Sequence, residues 1–351
     1  MDNITELLLK WYDKNRRELP WRIDVDKNPY HIWISEIMLQ QTRAETAIEY
    51  YTRFIKELPD VKALADVSDE RLLKLWEGLG YYSRARNLKK AAIQLVCNYD
   101  CMLPASYKDL LTLPGIGSYT AGAIASIAFN IRAPAIDGNV LRVMSRVSAS
   151  DRDISKSPAV NYIHGLVCAV IPENRPGDFN QALMELGAVI CLPNTEPRCG
   201  DCPIAGLCRA FIQGNPKKYP VRSVKKPRKI EEKSVFIIES DGKYLLHQRP
   251  MTGLLAGMWE FPNVPGILIE ENLPETLFKY GVRVKRLVCQ KSAKHIFTHI
   301  EWRMTGFFVK ADSMFDCGTD YKWTSYHEIE QNISIPSAFS AFMEIIRGAS
   351  E

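Results

Sequence analysis

The 351-residue sequence has no stretch that approaches eighteen consecutive apolar residues, which excludes a membrane-spanning helix. Its N-terminus, MDNITELLLKWYDKN, lacks the basic-then-apolar pattern of a secretory signal and reads as an amphipathic helix. A cytoplasmic protein is therefore expected, nucleoid-associated if the source is a bacterium. Residues 1–210 show no strand–helix alternation, which argues against a parallel α/β domain. A reducing compartment also argues against a disulfide framework. Of nine cysteines, four fall within residues 191–208, and such short spacings point to metal.

The chain is 46% apolar and 25% charged, ordinary for a soluble protein, and long enough for two domains with real cores. Charge is unevenly placed. Residues 1–230 carry 32 Lys+Arg against 25 Asp+Glu, a net of +7, whereas the remainder nets −3. A basic first part with a mildly acidic second part fits a polyanion-binding module with an appended domain. Apolar spacings of three and four predict helices over 31–42, 44–58, 68–77, 84–98, 117–129, 138–148, 158–170 and 178–190. Residues 214–233, GNPKKYPVRSVKKPRKIEEK, hold three prolines and many charges and read as a basic linker. Beyond it, SVFIIES-DGKYLLHQR predicts a hairpin with an Asp-Gly turn, and HIFTHIEWRMTGFFVK one or two further strands. Helices are expected over 274–280 and near 337–347. The predicted domains are 1–213, mainly α, and 234–351, α+β.

In LPGIGSYTAG, Pro114 fixes a backbone angle while Gly115 and Gly117 permit a tight turn between two short helices. Gly117, Ser118 and Tyr119 then open a helix whose first amides have no internal partner and suit a phosphate oxygen. Such a helix-hairpin-helix grips DNA without reading bases, although PGIG alone also suits a plain inter-helix turn. Together with LPWR (19–22), PYHIWISEIMLQQTR (29–43), WEGLGYYSRARNL (76–88), IDGNVLRVMSR (136–146) and FNQALMELGA (179–188), the hairpin carries a resemblance. The sequence resembles the adenine DNA glycosylases of the helix-hairpin-helix superfamily, the MutY type, over nearly its whole length. The resemblance implies a monomer acting on double-stranded DNA that holds adenine opposite 8-oxoguanine, in base excision repair.

Cleaving the bond to adenine needs an acid for the departing base and an anion beside the cationic sugar, a problem that paired carboxylates solve. Glu36 lies among Ile34, Ile37, Met38 and Leu39, where a carboxyl tends to keep its proton. By its residues alone it is equally the polar side of a helix; the resemblance assigns it protonation of adenine N7. Asp137 precedes Gly138-Asn139 and suits an N-cap. The resemblance also sets it against C1′ of the flipped nucleotide, with Asn139 orienting Asp137 or a water. Glu185, inside an apolar helix, would assist Glu36, or make a purely structural hydrogen bond. Superfamily members that also cut the strand carry a lysine where this chain has Tyr119, so a monofunctional hydrolase is expected.

For the opened duplex, Gln40 and Gln41 follow the helix carrying Glu36 and are candidate DNA contacts, and the resemblance inserts Gln41 beside the orphan base. Tyr81 and Tyr82 are candidate wedges, with Tyr81 preferred over Tyr82. Trp21 and Arg22 are expected toward the 8-oxoguanine side, and Arg84 and Arg86 as phosphate contacts. Cys191, Cys199, Cys202 and Cys208 have gaps of seven, two and five, against six, two and five in the family. The resemblance implies a [4Fe-4S] cluster, with a four-thiolate zinc site as the rival. Residues 234–351 resemble the MutT-like domain of these enzymes. Glu270 and Glu271 are not arranged as a pyrophosphohydrolase requires, so the domain is expected to bind and not to hydrolyse. Phe297-Thr298-His299 stands where family members use Phe-Ser-His to tell 8-oxoguanine from guanine. The rival functions are a thymine or uracil mismatch glycosylase and a non-catalytic lesion-binding protein.

Overall fold

The computed structural model describes residues 2–23, 27–224, 227–314 and 318–350, and its contacts divide the chain into two units. The first comprises Met1–Val67 and Arg86–Val224, the second Ser68–Ala85 and Lys225–Glu351. The helices run in order α1 (Asp2–Asn15), α2 (Pro29–Leu39), α3 (Ala44–Glu57), α4 (Val61–Asp66), α5 (Asp69–Leu75), α6 (Ser83–Asn98), α7 (Tyr107–Leu110), α8 (Ser118–Phe129), α9 (Gly138–Ser148), α10 (Ser157–Val170), α11 (Pro176–Val189) and α12 (Arg209–Ile212). Each helix expected from apolar periodicity is present, with ends shifted by a few residues.

In the first unit, α8 is apolar on every side and is buried from Thr120 to Ile127, as a central helix must be. It packs on α2 and α11, while α1, α9, α10 and α11 close a second apolar cluster around Leu8, Val143, Val167 and Phe179. Gly122 sets how near the chain comes to α8. A Cβ there would lie 2.1 Å from the Pro134 carbonyl oxygen, within the segment that leads to Asp137. The hairpin joins α7 to α8. Gly115 has φ +79 and faces Asn87, where a Cβ would sit 2.7 Å from the Asn87 Cβ. Gly117, at φ −91, is in ordinary extended backbone, so the turn does not need its freedom; it has only open space above it.

The basic linker is shorter than the sequence suggests. Val221 pairs with Asp153, Arg146 Nε donates to the Tyr219 carbonyl at 3.0 Å, and Ser223 hydrogen-bonds Asp153. Strand β1 already begins at Lys229. Tyr219, Val221 and Ser223 are thus tied by hydrogen bonds within the first unit; Lys225 and Lys226 lie outside the described residues.

The second unit is built on a mixed sheet of β1 (Lys229–Ser240), β2 (Lys243–Gln248), β3 (Trp259–Glu260), β4 (Asn263–Pro265), β5 (Val284–Ile296), β6 (Ile300–Ala311) and β7 (Tyr321–Ser325). The order is β3-β2-β1-β6-β5, with β4 paired to β1 and β7 to β2; β1 and β6 run parallel. Asp241 and Gly242 turn the β1–β2 hairpin with φ of 50° and 73°, as a two-residue turn between twisted strands requires. Helices α14 (Tyr326–Asn332) and α15 (Ser340–Ser350) cover one face, and α13 (Leu273–Phe278) the other. Phe297, Thr298 and His299 form the tip between β5 and β6.

The sequence boundary at residue 213 does not anticipate that Ser68–Ala85 groups with the second unit. This segment holds α5, the loop at Gly78, Gly80 and Tyr81 (φ 95°, 69° and 50°) and the first turn of α6.

Gly122→Ala is expected to lower the unfolding free energy by about 1–3 kcal/mol, because the added methyl meets backbone that cannot rotate away. An unchanged midpoint in urea would show that the Pro134 approach does not constrain this unit.

Candidate active site

The first unit contains a cavity of about 520 Å³ whose wall includes Glu36, Tyr119, Asp137, Asn139, Arg22 and Glu185. Three elements deliver these groups. Helix α2 starts at Pro29 behind Asn28, whose side chain accepts the Tyr30 N–H at 2.9 Å, and it is buried almost throughout. Glu36 is consequently only 6% exposed on an apolar helix. Burial pushes its pKa up to about 7; Asp137 adds to the rise, and the Tyr119 hydrogen bond and Arg22 oppose it. Tyr119, in the first turn of α8, donates its hydroxyl to Glu36 Oε2 at 2.5 Å. Burial and the neighbouring carboxyls hold the Tyr119 proton well above the usual tyrosine range, so the ring acts as a fixed donor.

Asp137 caps α9. Its Oδ1 accepts the Val140 N–H at 2.7 Å, and its Oδ2 accepts Asn139 Nδ2 at 2.7 Å. Burial lifts the Asp137 pKa above its ordinary value, while these donors favour the anion. Asn139 is itself fixed. Arg142 Nη2 donates to its Oδ1 at 2.9 Å, and Gly187 leaves room where a Cβ would lie 2.5 Å from the Asn139 Cβ. Arg142 also donates to the carbonyls of Gly187 (2.8 Å) and Cys191 (2.7 Å). Two carboxyls thus line one cavity in different surroundings: Glu36 receives one donor, from Tyr119, and Asp137 receives the Val140 N–H and the Asn139 amide.

Glu185 lines the same cavity but is no proton donor. Burial alone would raise its pKa; the hydrogen bond from Arg17 and the charges of Arg22 and Arg17 outweigh it, and the net shift is downward. Arg17 Nε lies 2.6 Å and Arg22 Nη2 2.9 Å from its oxygens. Arg17 is a site residue that sequence reading missed, although it stands just ahead of LPWR. Arg22 and Trp21 also line this cavity.

Three other expectations change. Arg84 is buried and donates to the Leu79 and Gly80 carbonyls at 3.1 Å; burial lowers its pKa to about 10. It holds the loop that bears Tyr81, and so is not a surface phosphate contact. Tyr82 is 5% exposed and packs inward, whereas Tyr81 is 51% exposed. Gln40 Nε2 donates to Thr120 Oγ1 at 3.1 Å; Gln41, at φ 64°, is exposed. Arg86 is half-buried, and Gly115, Gly117 and Ser118 are exposed at the hairpin. In the second unit Thr298 and His299 are exposed, while the Phe297 ring packs on Trp302 at 4.8 Å.

Cys191, Cys199, Cys202 and Cys208 line one pocket beside Arg146, whose Nη1 donates to Cys191 Sγ at 3.1 Å. The longer first gap is absorbed by a turn at Asn194 (φ 58°), after which the Arg198 N–H bonds the Ile190 carbonyl at 2.9 Å. Burial raises the pKa of Cys202 to about 12, and burial with the neighbouring thiols raises Cys199 and Cys208. Three of the four thiols in this pocket, Cys199, Cys202 and Cys208, are pushed against ionisation, which fits a cationic centre that would take their protons' place. Among the described residues no three His, Cys, Asp or Glu side chains are gathered around a single ion position.

Because folding raises the Glu36 pKa from 4.5 to about 7, the native state binds the extra proton between those values. The contribution of Glu36 to stability is therefore fully present below pH 4.5 and lost as pH rises through about 7. Glu36→Gln should be more stable than the parent at pH 8, with the difference shrinking toward pH 5. A difference that does not vary with pH would contradict the burial-driven shift.

Comparison with known proteins agrees with this geometry. The HhH-GPD superfamily of base excision DNA repair proteins matches residues 34–166, and a NUDIX domain matches residues 234–344. A Mus musculus protein named adenine DNA glycosylase is 37% identical over 350 residues, covering 84% of this chain and 68% of its own. An adenine DNA glycosylase of Buchnera aphidicola subsp. Schizaphis graminum is 31% identical over 348 residues, covering 98% of both chains. The solved structure of a thermostable thymine-DNA glycosylase, 27% identical, superposes with a TM-score of 0.55 over 60% of this chain and 96% of that one. With a helix-hairpin-helix unit that brings Glu36 and Asp137 to one cavity, a NUDIX domain later in the sequence, and these relatives, the chain belongs to the adenine DNA glycosylases.

Proposed function

We propose that this enzyme hydrolyses the N-glycosidic bond of adenine mispaired with 8-oxoguanine, and more weakly with guanine, in double-stranded DNA. The observation that carries this reading is that Glu36 and Asp137 line one cavity, with Tyr119 bonded to Glu36. Adenine must leave the stack to enter such a cavity. Glu36, still protonated near neutrality, gives its proton to N7. The C1′–N9 bond then breaks, and Asp137 faces the positive charge left on the sugar. Water adds at C1′, and the proton it releases balances the one Glu36 gave up. Thymine has no N7, so a buried acid of this kind favours a purine over the mismatch-thymine reading. A non-catalytic binder would have no need of both carboxyls.

With Tyr119 in place of a lysine there is no amine to form a Schiff base, so the product is an abasic site in an uncut strand. Grip on DNA falls to the hairpin, where α8 begins with no side-chain cap and open space above Gly117. Gln41 and Tyr81 would enter the opened duplex, and Phe297, Thr298 and His299 would meet the 8-oxoguanine. Cys191, Cys199, Cys202 and Cys208 would hold a [4Fe-4S] cluster. When bound, it would tie the cysteine loop to α9 and α11; Arg146 and Arg142 already bond Cys191 from α9. The acting form is a monomer.

Single-turnover assays on duplexes holding A:8-oxoguanine, A:G, A:T and T:G test the activity. Adenine should leave fastest from the first, with strand breaks only after hot alkali. Glu36→Gln should slow release by on the order of 10²–10⁴-fold, and the parent rate should fall as pH rises above about 7. Release of thymine, or cleavage before alkali, would overturn the reading.

Purified protein should carry iron and acid-labile sulfide in equal amounts, with broad visible absorption. Cys199→Ser should lose iron and lower the midpoint of unfolding. Zinc alone in the purified protein would contradict the cluster assignment.

A further inference from the structure

We propose that Arg142, Arg146, Lys217 and Arg222 form a binding site for a phosphoryl group, on a second cavity beside the cysteine loop. This cavity has a volume of about 350 Å³, and its wall includes these four cations with Asn194 and Thr195. No Asp or Glu is part of the lining. Small-ligand pockets run from about 300 to 1,000 Å³, so the space takes more than a water or a simple ion.

All of these residues belong to the first unit. Helix α9 supplies Arg142 and Arg146, four residues apart and so on one face. The turn at Asn194 brings in the loop between Cys191 and Cys199. Lys217 and Arg222 come from chain that reads as linker in the sequence, yet it is pinned here. The Tyr219 carbonyl accepts Arg146 Nε at 3.0 Å, the Val221 carbonyl accepts the Ile154 N–H at 3.0 Å, and the Ser223 N–H bonds Asp153 Oδ1 at 3.2 Å. Arg222 therefore lines the cavity from backbone held on both sides.

Four cations around one cavity repel each other until an anion joins them. Two acids lie near in sequence, and neither neutralises the group. Asp153 is occupied by Ser223 and by the Ser155 N–H. Glu196 pairs with Lys217, but the two side chains are 68% and 64% exposed, and a pair of that kind is worth little. Lys217 can exchange it for a better anion at small cost. The Arg222 guanidinium has no hydrogen bond or ion pair with any described residue. Arg146 is only 4% exposed; its Nε and Nη1 are taken by the Tyr219 and Leu192 carbonyls and Cys191 Sγ, while its Nη2 has no partner among the described residues. Burial lowers the Arg142 pKa, and the charges of Arg146 and Arg222 push the same way. The cysteine pocket does not account for this charge, because Lys217 and Arg222 line only the second cavity.

Guanidinium forks match pairs of phosphate oxygens, and an ammonium adds a point charge. With the Asn194 amide and the Thr195 hydroxyl as neutral groups beside them, this set suits a doubly charged tetrahedral oxyanion. Its source is either the DNA backbone or a free phosphorylated ligand, and the test separates the two.

The full chain is used as purified. Arg222→Gln and Lys217→Gln each remove one exposed charge, and their iron content and circular dichroism should match the parent. Lys62→Gln, an exposed cation on α4 outside the lining, is the control. Inorganic pyrophosphate is titrated calorimetrically, and affinity for an undamaged duplex is measured at several salt concentrations. Loss of one charge-assisted hydrogen bond should weaken pyrophosphate binding about tenfold or more. Loss of one phosphate contact should reduce the slope of log affinity against log salt by about 0.9. A reduced slope, with the control unchanged, assigns the group to DNA. A parent-like slope with weakened pyrophosphate binding assigns it to a free ligand. Pyrophosphate affinity and salt slope both equal to the parent's would overturn the site, as would changes no larger than those in Lys62→Gln. Neither readout involves base release, so failure of the proposed adenine chemistry would leave this test intact.

Discussion

Glu36 is buried, and burial makes its negative charge costly while leaving its neutral form cheap. The site in the first unit depends on that asymmetry. A surface glutamate would be ionised at neutral pH and useless as an acid; one sealed on an apolar helix keeps its proton until a base arrives. The Tyr119 hydroxyl limits the shift instead of enlarging it, because its hydrogen bond favours the anion that remains once the proton has gone. The pKa of about 7 is thus a compromise between desolvation, which makes Glu36 an acid at all, and one donor, which lets it give the proton up.

The helical unit serves this compromise. Helix α8 brings Tyr119 to Glu36 at its first turn, opens at the hairpin suited to a DNA phosphate, and through Gly122 draws in the strand of chain that ends at Asp137. The hairpin, the Tyr119 donor and the approach to Asp137 therefore share one helix. From Asp137 the fixed contacts continue through Asn139 and Arg142 to the Cys191 carbonyl, so Asp137 and the cysteine loop are joined by hydrogen bonds. The second unit has a different task. Its mixed sheet supports a hairpin tip with exposed polar groups and, through α14, a segment that sequence order assigns elsewhere.

Much of this was legible in the sequence. The helices followed from apolar spacing, because a 3.6-residue period is a local property. Glu36 among isoleucines and leucine, Asp137 ahead of Gly-Asn, and the four cysteines were likewise visible as local patterns. What escaped was non-local. The parallel pairing of β1 with β6 joins residues about seventy apart, and β7 with α14 left no distinctive pattern. Arg17 gives no sign in sequence that it pairs with Glu185, and Arg84 looked like a phosphate contact because a surface cation and a buried carbonyl-bound one have the same letter. Nothing in WEGLGYYSRA shows that it groups with strands that begin more than 140 residues later; just ahead of it, Lys74 bonds the end of α14.

The most direct test is the protonation state of Glu36 itself, read as the infrared difference between the parent and Glu36→Gln across a pH titration. The account predicts a protonated carboxyl C=O band that persists near neutrality and disappears around pH 7, as its pKa requires. A band already lost at pH 5 would show Glu36 ionised in the free enzyme, and the buried-acid account would be wrong.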